Sequence, residues 1–183
     1  MNIQIRRATN EDIPALKDII ANSVRSLSQN YYTEQQIESA LTNIFGVDTQ
    51  LIVDGTYYVA ETAGQIVGCG GWSKRKTLFG GDQTKAGEDV SLDPDVEPAR
   101  IRAFFVHPGW ARRGIGSRIL EACEEAAQKA GFKELELVAT LPGEPFYSIF
   151  GYETAERIEI ALPDEQVLPA VRMKKRVERV CET

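Results

Sequence analysis

Apolar positions along the chain follow two periods, and the switches between them mark the elements. Ile3 and Ile5 alternate with Gln4 and Arg6, which predicts a short opening strand. Thr9 to Asp12 reads as a helix start, and Ile13, Leu16, Ile20, Val24 and Leu27 then fall on one helical face. Thr33 with Gln36 marks a second start, followed by Ile37, Leu41 and Ile44 on the next face. Thr56 to Ala60 is a β-branched and aromatic run, Ala63-Gly64 a turn, and Gln65 to Trp72 a second strand, so the pair predicts a hairpin. Gly68, Gly70 and Gly71 inside that strand suggest a bulge or a close backbone approach. Gly80 to Pro98 has no period and reads as a long mobile loop, either functional or a surface insertion.

The second half alternates element types. Ile101 to Val106 is a buried strand ended by Pro108-Gly109. Ile119, Leu120, Cys123, Ala126, Ala127 and Ala130 form a helical stripe that stops at Gly131, and Leu135 to Ala139 is the next strand. Strand, helix, strand is a βαβ unit, so these two strands should lie parallel in one sheet. Gly143 to Phe150 reads as a short helix closed by Gly151. Ile158 to Leu162 and Val167 to Met173 are two strands joined at Pro163-Asp164, and the charged tail from Lys174 is expected to fray. No repeat or linker divides the chain, so one domain over residues 1–183 is expected.

Composition narrows the function classes. Apolar residues make up 43% and charged residues 26%, which is ordinary for a globular protein. The formal net charge of -6 argues against nucleic acid, whose phosphates need a basic face. It is compatible with a cationic amine. Cys69, Cys123 and Cys181 show neither metal-ligand spacing nor a disulfide framework, so no metal and a reducing, cytoplasmic setting are expected. The first residues lack an apolar signal core, and no apolar run approaches membrane-spanning length.

The chemistry concentrates between Arg100 and Gly131. A strand runs into Arg112-Arg113-Gly114-Ile115-Gly116-Ser117, and a helix follows. Amides at such a helix start have no partner inside the helix, and with the helix dipole they make an anion site. A P-loop needs Lys and Ser/Thr after its last glycine, and Gly116 is followed by Ser117-Arg118. A dinucleotide fingerprint needs a third glycine where Ile119 stands.

The segment Phe104 to Gly116 resembles the strand and pyrophosphate loop of the acetyl-CoA-dependent N-acetyltransferase (GNAT) superfamily, and Pro145-Phe146-Tyr147-Ser148-Ile149-Phe150-Gly151-Tyr152 resembles its late aromatic motif. The order of elements fits along nearly the whole chain. The resemblance implies an α+β fold with a central mixed, mostly antiparallel sheet, flanking helices and one βαβ core. It implies acetyl-CoA as co-substrate, a primary amine on a small molecule or peptide as acceptor, and direct attack in a ternary complex. A homodimer is compatible with it. Backbone groups of Phe105 and Val106 would hold the pantetheine arm, and the amides of Arg112 to Ser117 the pyrophosphate. Tyr147 matches the family tyrosine that protonates the departing thiolate, a role a phenol near pKa 10 can fill.

Three positions depart from the family pattern. Ala111 stands where Gln or Arg is usual, Thr140 where Asn is frequent, and Arg100 where some members carry a catalytic Glu. The departures keep two alternatives open, a silent acyl-CoA sensor and a transferase for another acyl group. The general base is unassigned, with a water chain or the carboxylates of Asp89 to Glu97 as candidates. His107, the single histidine, sits in a strand-exit turn and is expected to be structural. Arg100 and Arg102 are expected on a solvated or ion-paired strand edge, with a grip on a substrate carboxylate as the alternative. Tyr31, Tyr32 and Trp72 are candidates either for an acceptor pocket or for the core.

Overall fold

Thr9 and Thr33 begin the first two helical segments, as their spacing to Asp12 and Gln36 requires. The Thr9 amide donates to Asp12 Oδ2 at 2.8 Å, and Thr33 and Gln36 exchange bonds of 2.8 and 3.1 Å in a capping box. The computed structural model describes residues 2–177. Its helices are α1 (Ile13–Leu27), α2 (Glu34–Asn43), α3 (Thr49–Asp54), α4 (Ile115–Lys129) and α5 (Glu144–Ile149). Its strands are β1 (Gln4–Arg7), β2 (Tyr57–Thr62), β3 (Gln65–Ser73), β4 (Ala99–Val106), β5 (Glu134–Thr140), β6 (Glu153–Ala161) and β7 (Val167–Arg176).

Among the described residues the strands form one sheet in the order β1-β2-β3-β4-β5-β7-β6. Every neighbouring pair is antiparallel except β4 with β5, which is parallel. This is the α+β architecture expected, with the βαβ unit at its centre. Leu16 and Ile20 of α1, Ile37 of α2 and Leu51 of α3 bury against Tyr57, Val59 and Leu168 on one face. Ile115, Ile119, Leu120, Cys123 and Ala127 of α4 bury against Val67, Ile101, Leu135 and Met173 on the other. Each large apolar side chain so buried contributes about 1.5–3 kcal/mol, which is what holds a 15-residue helix that would be marginal alone.

The hairpin of β2 and β3 forms with both features its glycines suggested. The β3–β4 register shifts between Cys69 and Gly71. A Cβ on Gly68 would lie 2.6 Å from Ile115 Cγ2, and one on Gly70 2.7 Å from the Phe104 ring, so both sites need the backbone bare. Opposite the shift, Ala103 takes φ 57°, a left-handed conformation inside a strand. Its carbonyl accepts from the buried Tyr57 hydroxyl at 3.4 Å and lies 3.7 Å from the Cys69 thiol.

Two expectations are corrected, and one helix forms that the sequence pattern did not signal. Residues 49–54 form α3, started by Asp48 Oδ1 accepting from the Gln50 amide at 3.1 Å and ended by Gly55 at φ 71°. Gly80 to Pro98 is anchored rather than free. The Leu92 amide donates to Lys74 O at 2.7 Å, the Lys76 amide to Val90 O at 2.9 Å, and Leu92 is buried. Lys174 to Arg176 continue β7 instead of fraying, because Lys174 and Arg176 lie opposite Glu136 and Glu134 of β5. The rest of the expected tail, with Cys181, lies outside the described residues.

Candidate active site

The parallel ladder between β4 and β5 is two residue pairs long: Ala99 opposite Leu135 and Arg100 opposite Glu136. Beyond it the strands part. The bulge at Ala103 turns β4 away, since such a bulge bends the strand that carries it. Arg100 donates to Glu136 Oε2 at 2.8 Å, and Arg172 of β7 donates to Oε1 of the same carboxylate at 2.9 Å. One carboxylate thus ties β4, β5 and β7 together just before the strands separate.

A cleft of about 280 Å³ opens between the parted strands. Phe105 and Val106 of β4, Ala139 and Thr140 of β5, Gly116 of α4 and Tyr147 of α5 line it. The far wall comes from α1, the end of α2 and the loop at Leu78 to Gly81. Among the expected site residues, the cleft therefore brings together Phe105, Val106, Gly116 and Tyr147. Arg112, Arg113, Gly114, Ile115 and Ser117 stand at the α4 start beside it.

The glycine turn has the geometry of an anion site. Gly114 takes φ 78° and Arg112 φ 61°, so the chain curls before the helix begins. The first helical bond runs from the Arg118 amide to Gly114 O at 3.2 Å. Among the described residues no acceptor takes the amides of Arg112 to Ser117. The Ser117 hydroxyl donates to Gly114 O at 2.8 Å, and the Arg113 guanidinium stacks 5.0 Å over Trp110. Ile115 is buried, so only its amide can serve. A Cβ on Gly116 would come within 3.2 Å of Phe146, which keeps the passage from turn to cleft open.

Tyr147 is buried among aromatic rings. Phe146 meets it at 5.0 Å, Tyr152 at 5.7 Å and Phe104 at 6.2 Å, each edge to face. Burial pushes its hydroxyl well above the ordinary tyrosine value, so it stays protonated at neutral pH. Thr140 Oγ1 accepts from the Gly143 amide at 3.2 Å and so fixes the turn into α5 that carries Tyr147. This is the work done at the position where the family frequently has Asn.

Several candidates lie elsewhere. Tyr32 is a core staple: its hydroxyl donates to Pro169 O at 2.6 Å and accepts from the Leu141 amide at 2.9 Å. Trp72 packs edge to face on Phe132 at 6.0 Å, and Tyr31 is exposed, so none of the three lines the cleft. His107 caps the turn after β4, its Nδ1 accepting from the Gly109 amide at 3.0 Å. The Asp89 to Glu97 carboxylates do not line the cleft. Asp89 accepts from the Thr77 amide at 2.9 Å and Glu97 from the Asp93 amide at 2.8 Å.

Arg102 was expected at a strand edge and is instead deeply buried. It pairs with Asp48 at 2.8 Å, each side chain 1% exposed. It also donates to Thr77 O at 3.2 Å and to Gly80 O, so it pins the loop that forms the far wall. Lys85 reaches Asp48 from the other side. No local pattern signals this cluster, because its members come from distant parts of the chain.

The two described thiols, Cys69 and Cys123, are buried and inert. Burial pushes the Cys69 thiol up to about 12 and the Cys123 thiol well above its ordinary value, and neither lines the cleft. Among the described residues no group of His, Cys, Asp or Glu side chains could hold a metal ion, and no helix is long and apolar enough to cross a membrane.

The model of an acetyltransferase (GNAT) domain matches residues 53–154. Solved structures resemble the whole chain. A GCN5-related N-acetyltransferase from Rhodopseudomonas palustris superposes with a TM-score of 0.69 at 19% identity, over 97% of either chain. The PaiA N-acetyltransferase from Thermoplasma acidophilum, solved with coenzyme A, gives 0.66 at 16% identity over 97% of this chain and 100% of its own. YncA from Salmonella typhimurium, described as a putative acetyltransferase and solved with acetyl-CoA, gives 0.64 at 14% identity over 100% and 98%.

Proposed function

The chain belongs to the GNAT acetyltransferase family and is an acyltransferase of that kind, and from that premise we propose that it transfers the acetyl group of acetyl-CoA to a primary amine by direct attack in a ternary complex. Residues 1–183 act as one catalytic unit. Cysteine usage supports a cytoplasmic location.

The observation that carries the reading is the cleft at the parting of β4 and β5, with unpartnered amides at one end and a protonated tyrosine in its wall. These residues fit acetyl-CoA. The amides of Arg112, Arg113, Gly114, Ile115, Gly116 and Ser117 would hold the pyrophosphate. The Arg112 and Arg113 side chains, both exposed, would add positive charge there. Backbone groups of Phe105 and Val106 would orient the pantetheine arm and polarise the thioester carbonyl, a contact worth about 3 kcal/mol in the transition state. Acetyl-CoA supplies the activated acyl group.

The balance of the step is simple. The neutral amine nitrogen bonds to the carbonyl carbon and releases one of its protons to water. The carbon–sulfur bond breaks, and the Tyr147 hydroxyl gives its proton to the leaving sulfur and is reprotonated from water. A buried, neutral phenol is suited to this, because it holds its proton until a strongly basic thiolate forms. Direct attack fits the inert thiols, since neither Cys69 nor Cys123 can accept the acetyl group first.

The test is thiol release from acetyl-CoA across a panel of primary amines, paired with calorimetric titration of CoA. CoA binding with amine-dependent release supports the reading. CoA binding without release on any acceptor favours the silent sensor, which the absence of a carboxylate from the cleft lining keeps in play.

A further inference from the structure

The acceptor's chemistry follows from what lines the cleft, given its reading as the site of acetyl transfer. Although the chain carries a net charge of -6, no Asp, Glu, His or Lys side chain is among the described residues that line the cleft. The only charged one is Arg102. Its guanidinium is already committed to Asp48 at 2.8 Å and to the carbonyls of Thr77 and Gly80. With 1% of its side chain exposed, it offers no fork to a substrate carboxylate. The wall around it is apolar: Val24 and Leu27 from α1, Ile44 and Phe45 after α2, Phe79 from the loop and Leu168 from β7.

Charge matching decides between acceptor classes. A polyamine or aminoglycoside entering this cleft would strip water from extra ammonium groups and meet no anion. A free amino acid would bury its carboxylate beside an arginine that is fully engaged. A neutral apolar body loses nothing on entry and gains the hydrophobic term. The volume of about 280 Å³ is at the small end for ligand sites, which run from roughly 300 Å³ upward, and the pantetheine arm would share it, so the acceptor body must be compact.

We propose that the acceptor is a small primary amine with a single apolar body and no second charge, an arylalkylamine or a comparable branched alkylamine. It enters as the free base. The lining residues that titrate are Arg102, engaged, and Tyr147, held protonated, so the ammonium loses its proton to solvent before attack. The nitrogen–carbon bond then forms as the carbon–sulfur bond breaks, and the nitrogen gives up a second proton to solvent to leave a neutral amide. Tyr147 passes its proton to sulfur and regains one from solvent. The surface acidity of the chain is thus no guide to its substrate.

The experiment measures thiol release by the full chain at saturating acetyl-CoA with phenethylamine, spermidine and phenylalanine. The expected kcat/KM for phenethylamine exceeds the other two by on the order of a hundredfold. Equal or better use of spermidine or phenylalanine overturns the proposal. Calorimetric titration of each amine into the CoA-loaded protein separates the two layers of the reading. Phenethylamine binding without release would refute acetyl transfer and leave the acceptor chemistry standing, whereas neither binding nor release would refute the acceptor chemistry. Leu27→Glu, at a lining position 40% exposed and so tolerant of charge, should lower phenethylamine use and raise spermidine use. An unchanged ratio between the two amines in that variant counts against the charge argument.

Discussion

The Arg102 guanidinium and the Asp48 carboxylate lie 2.8 Å apart with 1% of either side chain exposed, and they join β4 to the start of α3 beneath the cleft. Removing Asp48 strands the Arg102 guanidinium in the interior, while removing Arg102 leaves Asp48 to Lys85 alone and takes the donor from the Thr77 and Gly80 carbonyls. Arg102→Met should therefore cost about 3–5 kcal/mol of stability, and Asp48→Asn a comparable amount. The double variant should cost less than the sum of the two. Denaturant unfolding of the four proteins as a double-mutant cycle checks this, and strict additivity would show that the pair is not coupled.

Tyr147→Phe keeps the aromatic packing with Phe146, Phe104 and Tyr152 and removes only the hydroxyl. Turnover should fall by about 10²-fold or more, within the range for loss of a general acid. The KM for acetyl-CoA should stay within about threefold, because the pyrophosphate amides are untouched. Wild-type turnover in this variant would remove Tyr147 from the mechanism.

Ala103 holds φ 57° where the strand bulges. For a residue with a Cβ that conformation costs about 1–2 kcal/mol. Glycine removes the cost and adds about 0.5–1 kcal/mol of lost chain entropy. Ala103→Gly should thus be neutral or slightly stabilising. Ala103→Val should destabilise by about 2 kcal/mol or more and reduce turnover, since a branched side chain resists the conformation that turns β4 from β5. Thermal denaturation and thiol release on both variants test this, and a Val variant as stable as the parent would remove the strain.

The sequence made the outer logic of the site legible and hid its floor. The α4 stripe, the glycine turn and the Tyr147 block are local patterns, and each forms where its spacing requires. The hairpin glycines signalled both the register shift and the close approach of Ile115 and Phe104. What stayed hidden depends on contacts between distant segments. Nothing in the residue type of Ala103 marks a positive φ. Asp48 and Arg102 belong to segments whose meeting only the sheet topology decides. Tyr32 and Trp72 could be read as pocket or core until their partners, Pro169 and Phe132, were in place.

The Arg6–Asp12 contact sets an acid limit on stability. Two bonds from the Arg6 guanidinium, 2.8 and 2.9 Å, hold the Asp12 carboxyl below its ordinary value of 3.8. A carboxyl with a depressed folded pKa contributes stability that is fully present above the unfolded value and is lost as pH falls through the folded one. Asp12→Asn should cost about 1 kcal/mol at neutral pH. The difference from the parent should shrink on acidification below about pH 3.8. Urea midpoints for both proteins across that range give the comparison, and a gap that widens in acid would contradict the sign.

The pH dependence of turnover should belong to the acceptor. The profile of kcat/KM reports the free enzyme and free substrate. Arg102 stays charged in its pair, and Tyr147 keeps its proton well above neutrality, so no lining group titrates between acid and neutral pH. As pH rises, the fraction of neutral amine rises, and kcat/KM should climb tenfold per pH unit until the amine's own pKa. An apolar amine of alkyl basicity, near 10.4, should therefore show a midpoint about two units above that of an α-amine such as phenylalaninamide, near 8. Measuring both profiles on one preparation settles the point. A common midpoint near neutrality for the two acceptors would reveal an enzyme base that the cleft lining does not contain.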